Sequence, residues 1–151
     1  METPDGVSQG AGWAVVAAFF DRLARRDMEA FFDLWAEDGV FEMPFTAPGL
    51  EPRYPGLAAV RRFFTVFRNS LGVVRFVVTS ATPLGGDAGF VVEGRGECET
   101  AAGKPYRNQY VWVVHLRGGK LTLFREYSNP LVIIDGFGGA DVLRGAFGGG
   151  P

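Results

Sequence analysis

Apolar residues recur at intervals of three and four in three segments of the first half of the chain. They are Trp13, Val16, Phe20 and Leu23; then Met28, Phe31, Phe32 and Trp35; then Leu57, Val60, Phe63, Phe64, Phe67 and Leu71. This spacing is typical of amphipathic helices that turn one face to a core. Asp27 is a common helix-capping residue and predicts the start of the second helix. A turn with a short strand ("AEDGVFEMPF") and a proline-rich loop are predicted before the third helix.

From residue 73 onwards the period changes to two, the spacing of a strand with two different faces. Four strands joined by glycine-containing turns are predicted, at Val73–Ser80, Gly89–Thr100, Tyr106–Leu116 and Lys120–Ser128. Helices followed by an antiparallel meander predict an α+β fold, with three N-terminal helices packed on one face of a curved sheet.

The chain divides into three predicted parts: a flexible leader (1–11), a domain with a pocket (12–135) and a Gly-rich tail (136–151). The tail is too rich in glycine to predict a stable core element. Two alternatives stay open for it, disorder or folding over another part of the protein.

Alternation does not decide which face of the last strand points inward. One face carries Thr122, Phe124, Glu126 and Ser128, and the other carries Leu121, Leu123, Arg125 and Tyr127. Glu126 is therefore either a solvated charge or a buried acid with a useful proton. In the strand before it, the aromatic face with Tyr110 and Trp112 is the better candidate for the inside. On the strand at 89–100, alternation alone places the charged side in water; that side carries Glu93, Arg95 and Glu97.

Composition narrows the class of protein. The chain has 151 residues, 47% of them hydrophobic, and a net charge of −2, which suits one globular domain. It has no basic block, which argues against nucleic acid or an anionic membrane as a partner. Cys98 is the only cysteine, and no metal-ligand or nucleotide-binding spacing occurs, so no cofactor or metal is expected. With no secretory signal or apolar membrane span, a cytoplasmic protein is expected.

Two stretches resemble one family. "DMEAFFDLWAEDGVFEMP" is similar to the helix-turn-strand that opens SnoaL-like domains of the nuclear-transport-factor-2-like superfamily. "GKPYRNQYVWVVHLRGGKLTLFREYSNP" is similar to their last hairpin, most of all in phenazine-biosynthesis condensation proteins and next in limonene-epoxide hydrolases. The resemblance implies a cone-shaped barrel, in which a strongly curved antiparallel sheet leaves an apolar pocket at its open end. It also implies a homodimer through the outer sheet face, here Val111, Val113, Leu121 and Leu123.

The resemblance also assigns site residues. Glu126 falls at the position of a pocket acid or base, and Asn108 and Tyr110 fall on positions that line the pocket. Arg95 and Glu97 match an Arg-x-Asp pair of the epoxide hydrolases, with Glu93 as a rival. A carboxyl walled by aromatic rings would have its pKa raised to about 6–7, whereas Arg95 would hold it ionised or stabilise an oxyanion.

Two departures show that neither precise reaction transfers. Phe41 and Met43 stand where the hydrolases hold a water molecule with Tyr and Asn, and the third helix lacks the His of the phenazine proteins.

We therefore expect a cofactor-free general acid/base enzyme acting on a small, largely apolar natural-product intermediate. The reaction would be of isomerase, cyclase, dehydratase or epoxide hydrolase type. Glu126 would be the acid/base, with Arg95 and Asn108 assisting. The substrate-binding residues would be Trp35, Phe41, Met43, Tyr54, Phe63, Phe67, Glu93, Glu97, Tyr110, Trp112 and Phe124.

The alternative is a non-catalytic module of the same fold that binds a ligand or dimerises. Glu126 would then pair with Arg95 or Arg107, and Asn108 would only cap a backbone group. An apolar cavity that contains Glu126 favours the enzyme. A cone filled by its own side chains favours the module.

Overall fold

A computed structural model describes residues 4, 10–86 and 88–148 of the chain. The three predicted helices are present: α1 (Ala11–Arg25), α2 (Met28–Phe32) and α3 (Leu57–Asn69). Asp27 is the N-cap residue of α2, although its side chain accepts no capping hydrogen bond. Most of the predicted leader lies outside the described residues, and residue 11 already belongs to α1. No helix in the described part of the chain has the length and apolar character that a membrane span requires.

Nine strands follow or separate these helices within the described residues. They are β1 (Trp35–Glu42), β2 (Arg53–Pro55), β3 (Leu71–Val73), β4 (Phe76–Pro83), β5 (Gly89–Gly96), β6 (Cys98–Thr100), β7 (Pro105–Tyr106), β8 (Gln109–Arg117) and β9 (Lys120–Ser128). Two predicted strands are each split in two, because Glu97 separates β5 from β6, and residues 107–108 separate β7 from β8. The strand predicted at Val73–Ser80 corresponds to β4, which begins later than expected, at Phe76.

The main sheet has six strands in the order β2-β1-β9-β8-β5-β4, and β3-β6-β7 form a second, three-stranded sheet. β1 runs parallel to β9, while the other neighbouring strands are antiparallel. The predicted α+β fold, with helices packed on a curved sheet, is confirmed. The sheet does not close into a barrel, since β2 and β4 remain as its edges.

α1 lies against the concave face of this sheet. Its Phe19 ring stacks on Phe124 of β9 with centroids 3.9 Å apart, and its Phe20 ring lies 4.8 Å from Trp112 of β8. The register places Trp112 opposite both Val92 and Glu126. The inward face of the sheet is therefore the one that carries Trp112, Phe124 and Glu126.

The pairing of β8 and β9 contains an irregularity that changes which residues face outward. His115 pairs with Leu123, whereas Leu116 pairs with Leu121, so Thr122 is an extra residue on β9. Such a bulge shifts the residues beyond it relative to the two faces. Leu121 is fully buried, and its prediction as part of the outer face was wrong.

The chain ends in two further helices, α4 (Pro130–Gly136) and α5 (Ala140–Phe147). The side chain of Asn129 caps α4 by accepting a hydrogen bond of 3.0 Å from the Leu131 amide. Leu143 of α5 is fully buried, so the expectation that the tail holds no stable core element was wrong for its described residues. Gly49 allows the close approach, because a Cβ there would lie 2.7 Å from the backbone of Leu143. α4 crosses the predicted boundary at 135/136, and the division into domains stays a prediction.

Candidate functional site

A narrow cavity lies between α1, α3, the concave face of the sheet and the two C-terminal helices. Its lining is mostly aromatic and aliphatic: Phe19, Phe20, Leu23, Phe41, Met43, Leu50, Phe63, Phe64, Phe67, Phe76, Tyr106, Tyr110, Trp112, Glu126, Ile133, Phe137, Leu143 and Phe147. The cavity volume is about 30 Å³, far below the roughly 300–1,000 Å³ that is typical of ligand pockets. In this state the cone is nearly filled by its own side chains.

Glu126 is the one charged residue in the described lining. Its Oε1 atom accepts a hydrogen bond of 3.0 Å from Trp112 Nε1, and Oε2 accepts none from the described residues. Burial raises the pKa of the Glu126 carboxyl to about 7, although the hydrogen bond from Trp112 acts in the opposite direction. The group is therefore about half ionised at neutral pH, with one oxygen left for a ligand.

Tyr106 and Tyr110 add two hydroxyl groups to this lining. Burial raises the pKa of Tyr106 to about 12 and the pKa of Tyr110 well above its ordinary value, so both remain protonated. The Tyr106 oxygen accepts a hydrogen bond of 3.5 Å from Asn108 Nδ2, and the Tyr110 hydroxyl lies close enough to influence its pKa. Gly96 makes room for this pair, because a Cβ there would lie 3.2 Å from the Tyr110 ring.

Asn108 is buried beside the cavity and outside its lining. Its Oδ1 atom accepts hydrogen bonds from the amides of Gln109 (2.9 Å) and Asn129 (3.2 Å), and Nδ2 donates to the Asn129 carbonyl at 3.1 Å. These bonds tie the start of β8 to the start of α4. The backbone-capping alternative describes this geometry, and a role of Asn108 at the reacting group stays a prediction.

Arg95 lies on the outer face of the sheet, with Glu93, because the register pairs them with Gln109 and Val111. Arg95 Nε is 3.1 Å from Glu97 Oε1, and Glu97 also pairs with Arg75. The hydrogen bond from Arg95, followed by the charges of the neighbouring arginines, lowers the pKa of Glu97.

Glu93 accepts a hydrogen bond of 2.6 Å from Ser80 Oγ. The predictions that Arg95 lies beside Glu126, and that Glu93 and Glu97 bind substrate in the pocket, were wrong. Among the described residues neither Arg95 nor Arg107 pairs with Glu126, so the structural alternative for Glu126 does not hold either.

The remaining predicted binding residues divide into two groups. The cavity is lined by Phe41, Met43, Phe63, Phe67, Tyr110 and Trp112, and their role in binding stays a prediction. Trp35 and Phe124 lie in the core behind Phe19, outside the lining. Tyr54 also lies outside it, where its hydroxyl accepts a hydrogen bond of 2.8 Å from the Glu51 amide.

The sequence analysis missed the contribution of the C-terminal helices to the cavity. Ile133, Phe137, Leu143 and Phe147 all line it. The only signal was the spacing of four between Leu143 and Phe147, which is typical of one helix face. The surrounding glycines obscured it.

Residues 16–124 match the SnoaL-like domain family. The chain belongs to that family. Among its relatives is YesE of Bacillus subtilis, 30% identical over 125 residues, which cover 81% of this chain and 84% of YesE. A PhzA/B-like protein of Pseudomonas aeruginosa is 28% identical over 133 residues, which cover 82% of this chain and 91% of that protein. The predicted resemblance to SnoaL-like domains is confirmed, and the second relative agrees with the resemblance of the hairpin.

Solved structures share the fold. A candidate isomerase from Bacillus subtilis superposes with a TM-score of 0.78 at 26% identity, over 85% of this chain and 94% of that one. A Mycobacterium tuberculosis protein in complex with estradiol-17beta-hemisuccinate superposes with a TM-score of 0.72 over 80% and 95% of the two chains. At 18% identity, the second likeness shows the fold alone.

The described residues contain no group of three or more His, Cys, Asp or Glu side chains that could hold a metal ion. The chemistry of the cavity is that of one carboxyl group and two hydroxyl groups in apolar surroundings. Such a set can bind a small polar atom, such as a carbonyl oxygen, and can take up and release a proton.

Proposed function

We propose that this SnoaL-like protein is an isomerase-type enzyme that moves a proton within a small, largely apolar carbonyl compound, using Glu126 as the acid/base. The observation that carries the proposal is the position of the half-buried Glu126 in the lining of an apolar cavity, where desolvation raises its pKa to about 7. A general acid/base works best when its pKa lies near the working pH. The likeness to isomerase-type structures supports the same class of function.

In this mechanism, ionised Glu126 removes a proton from the carbon beside the carbonyl group. The electrons of the broken C–H bond form a C=C bond, and the carbonyl oxygen takes the negative charge. Tyr106 donates a hydrogen bond to that oxygen, since its hydroxyl lines the same cavity as Glu126 and remains protonated. In a substrate with a C=C bond next to the deprotonated carbon, the product of this step is a dienolate. Glu126 then returns the proton to the far carbon of the dienolate, so that the double bond moves into conjugation with the carbonyl group and no co-reactant is consumed.

A second candidate function is non-catalytic binding of a small apolar ligand. It is favoured by the small cavity, which the four side chains of the C-terminal helices help to fill. The steroid derivative bound by the Mycobacterium tuberculosis protein supports a small apolar ligand for either function. Both functions require the cavity to widen before a ligand enters.

Deuterium exchange separates the two candidates. A panel of apolar enolisable ketones, including unsaturated ones, is incubated with the protein in D₂O, and deuterium uptake beside the carbonyl is followed by NMR. The proposal predicts uptake that Glu126→Gln reduces by at least about a hundredfold, the usual worth of a positioned proton-transfer group. Glu97→Gln, on the outer face, is the matched control and should keep the rate. Ketones that bind without exchange would favour the binding module.

A further inference from the structure

A surface groove lies outside the cavity, between β2, α3 and the end of α5. Its volume is about 690 Å³, so it is far roomier than the cavity itself. Phe63 and Phe147 line both spaces, and their ring centroids lie 5.7 Å apart. These two rings therefore separate the cavity from the groove.

The groove carries more positive than negative charge. Its charged lining residues are three arginines and one acid: Arg53, Arg61, Arg62 and Glu51. Arg61 pairs with Glu29 at 2.9 Å, and Arg53 pairs with Glu42 at 3.5 Å. Arg62 is exposed and forms no ion pair or hydrogen bond with the described residues. Arg62 is therefore available to bind a ligand in this groove.

We infer that the substrate is an amphiphilic carboxylate, whose apolar carbonyl-bearing head enters the cavity while its carboxylate stays in the groove beside Arg62. This inference rests on the proposed function. A carboxylate inside the cavity would meet ionised Glu126 in apolar surroundings, where like charges repel strongly. The groove offers water and an unpaired arginine instead.

A displacement of α5 would open a route between the two spaces. Phe147 stands at the end of α5, whose backbone hydrogen bonds within the described chain are all local to the helix and its caps. The turn before α5 contains Gly138 and Gly139, both with positive φ. Displacement of α5 would move Phe147 away from Phe63 and join the cavity to the groove without breaking any strand.

Matched pairs of simple probes test the inference. The probes are ω-phenylalkanoates with chains of four, six and eight carbons and the ω-phenylalkanols of equal length, and binding is measured by titration calorimetry in low salt. We expect the best acid to bind about two- to fivefold more tightly than its alcohol, the range of an exposed ion pair. Arg62→Gln should remove this preference, and 0.5 M salt, at which the screening length is roughly 4–5 Å, should weaken it.

Arg25→Gln is the control, because Arg25 is an exposed arginine on α1 that pairs with Asp21 instead of facing the groove. It should keep the preference for acids. Equal binding of acids and alcohols to the unmodified protein, or an unchanged preference in Arg62→Gln, would overturn the groove inference while the cavity keeps its ligand. If neither series binds, the groove inference fails together with the proposed function.

Discussion

Glu126 on β9 and Glu97 in the link between β5 and β6 are two carboxylates with opposite surroundings. Glu126 lies on the concave face, where burial raises its pKa to about 7. Glu97 lies on the outer side, where hydrogen bonding to Arg95 and the charge of Arg75 lower its pKa. The comparison shows that the face of the sheet, and not the residue type, decides which carboxyl can exchange a proton near neutral pH.

The same comparison identifies a cost of the candidate site. The folded protein holds the proton of Glu126 up to pH about 7, whereas the unfolded chain releases it from about 4.5. The free energy of unfolding therefore falls as the pH rises between these two values. Glu97 has the opposite sign, since its lowered pKa contributes stability that is lost as the pH falls through that value.

The largest difference between the two faces should be in packing. Phe124 is 1% exposed and stacks on Phe19, so Phe124→Ala should reduce the free energy of unfolding by about 3–5 kcal/mol. Arg95→Ala should cost at most about 1 kcal/mol, because the Arg95 side chain is 50% exposed in its pair with Glu97. Urea unfolding measures both. Similar losses for the two variants would contradict the division into a packed face and a solvated one.

The next effect is the pH dependence of stability. The pKa of Glu126 is 4.5 in the unfolded chain and about 7 in the folded protein, and this difference corresponds to about 3 kcal/mol. Relative to the unmodified protein, the free energy of unfolding of Glu126→Gln should therefore increase by about 3 kcal/mol when the pH is raised from roughly 4 to roughly 8.5. Urea unfolding of both proteins at these two pH values measures the change. Glu97→Gln should change in the opposite direction. A Glu126→Gln variant that loses stability at high pH would show that Glu126 is ionised and stabilising.

A smaller effect is expected on the outer face of the sheet, where a homodimer interface is predicted. Val111, Val113 and Leu123 remain there, each half-buried in the single chain. A lysine on this face, Leu123→Lys, should raise the dissociation constant at least about tenfold, which corresponds to about 1.4 kcal/mol. Val73→Lys is the control, since Val73 is exposed on the second sheet. Light scattering reports both, and an unmodified protein that is monomeric at micromolar concentration would contradict the dimer.

The smallest expected effect concerns the hydrogen bond to Glu126. Trp112→Phe removes the donor that favours the ionised carboxylate, so the pKa of Glu126 should rise further. The pH profile of deuterium exchange should move to higher pH with it. An unmoved profile would mean that this hydrogen bond does not influence the proton-transfer step.

Much of the fold follows from the sequence because its periodic signals are strong. The last strand has the predicted bounds, Lys120–Ser128, and the three helices begin or end within two residues of the pattern. The bulge at Thr122 was beyond reach, since strict alternation assumes an uninterrupted register. Leu121 changed face for that reason.

The candidate site was predicted only in part. The position of Glu126 in the cavity lining agrees with the family resemblance, and the inward face of Tyr110 and Trp112 followed from alternation. The charged partners were misplaced because the resemblance was followed over the simpler expectation that Glu93, Arg95 and Glu97 face water. The C-terminal contribution was missed because residues 136–151 gave almost no periodic signal.

The central claim is that Glu126 carries a proton that it can exchange near neutral pH. The direct measurement is a ¹³C NMR titration of the Glu side-chain carboxyl groups, with the Glu126 signal assigned by its loss in Glu126→Gln. The account predicts a midpoint at about 7 for Glu126 and a midpoint below the ordinary value for Glu97. A Glu126 midpoint at or below 4.5, the ordinary value of the side chain, would contradict the account.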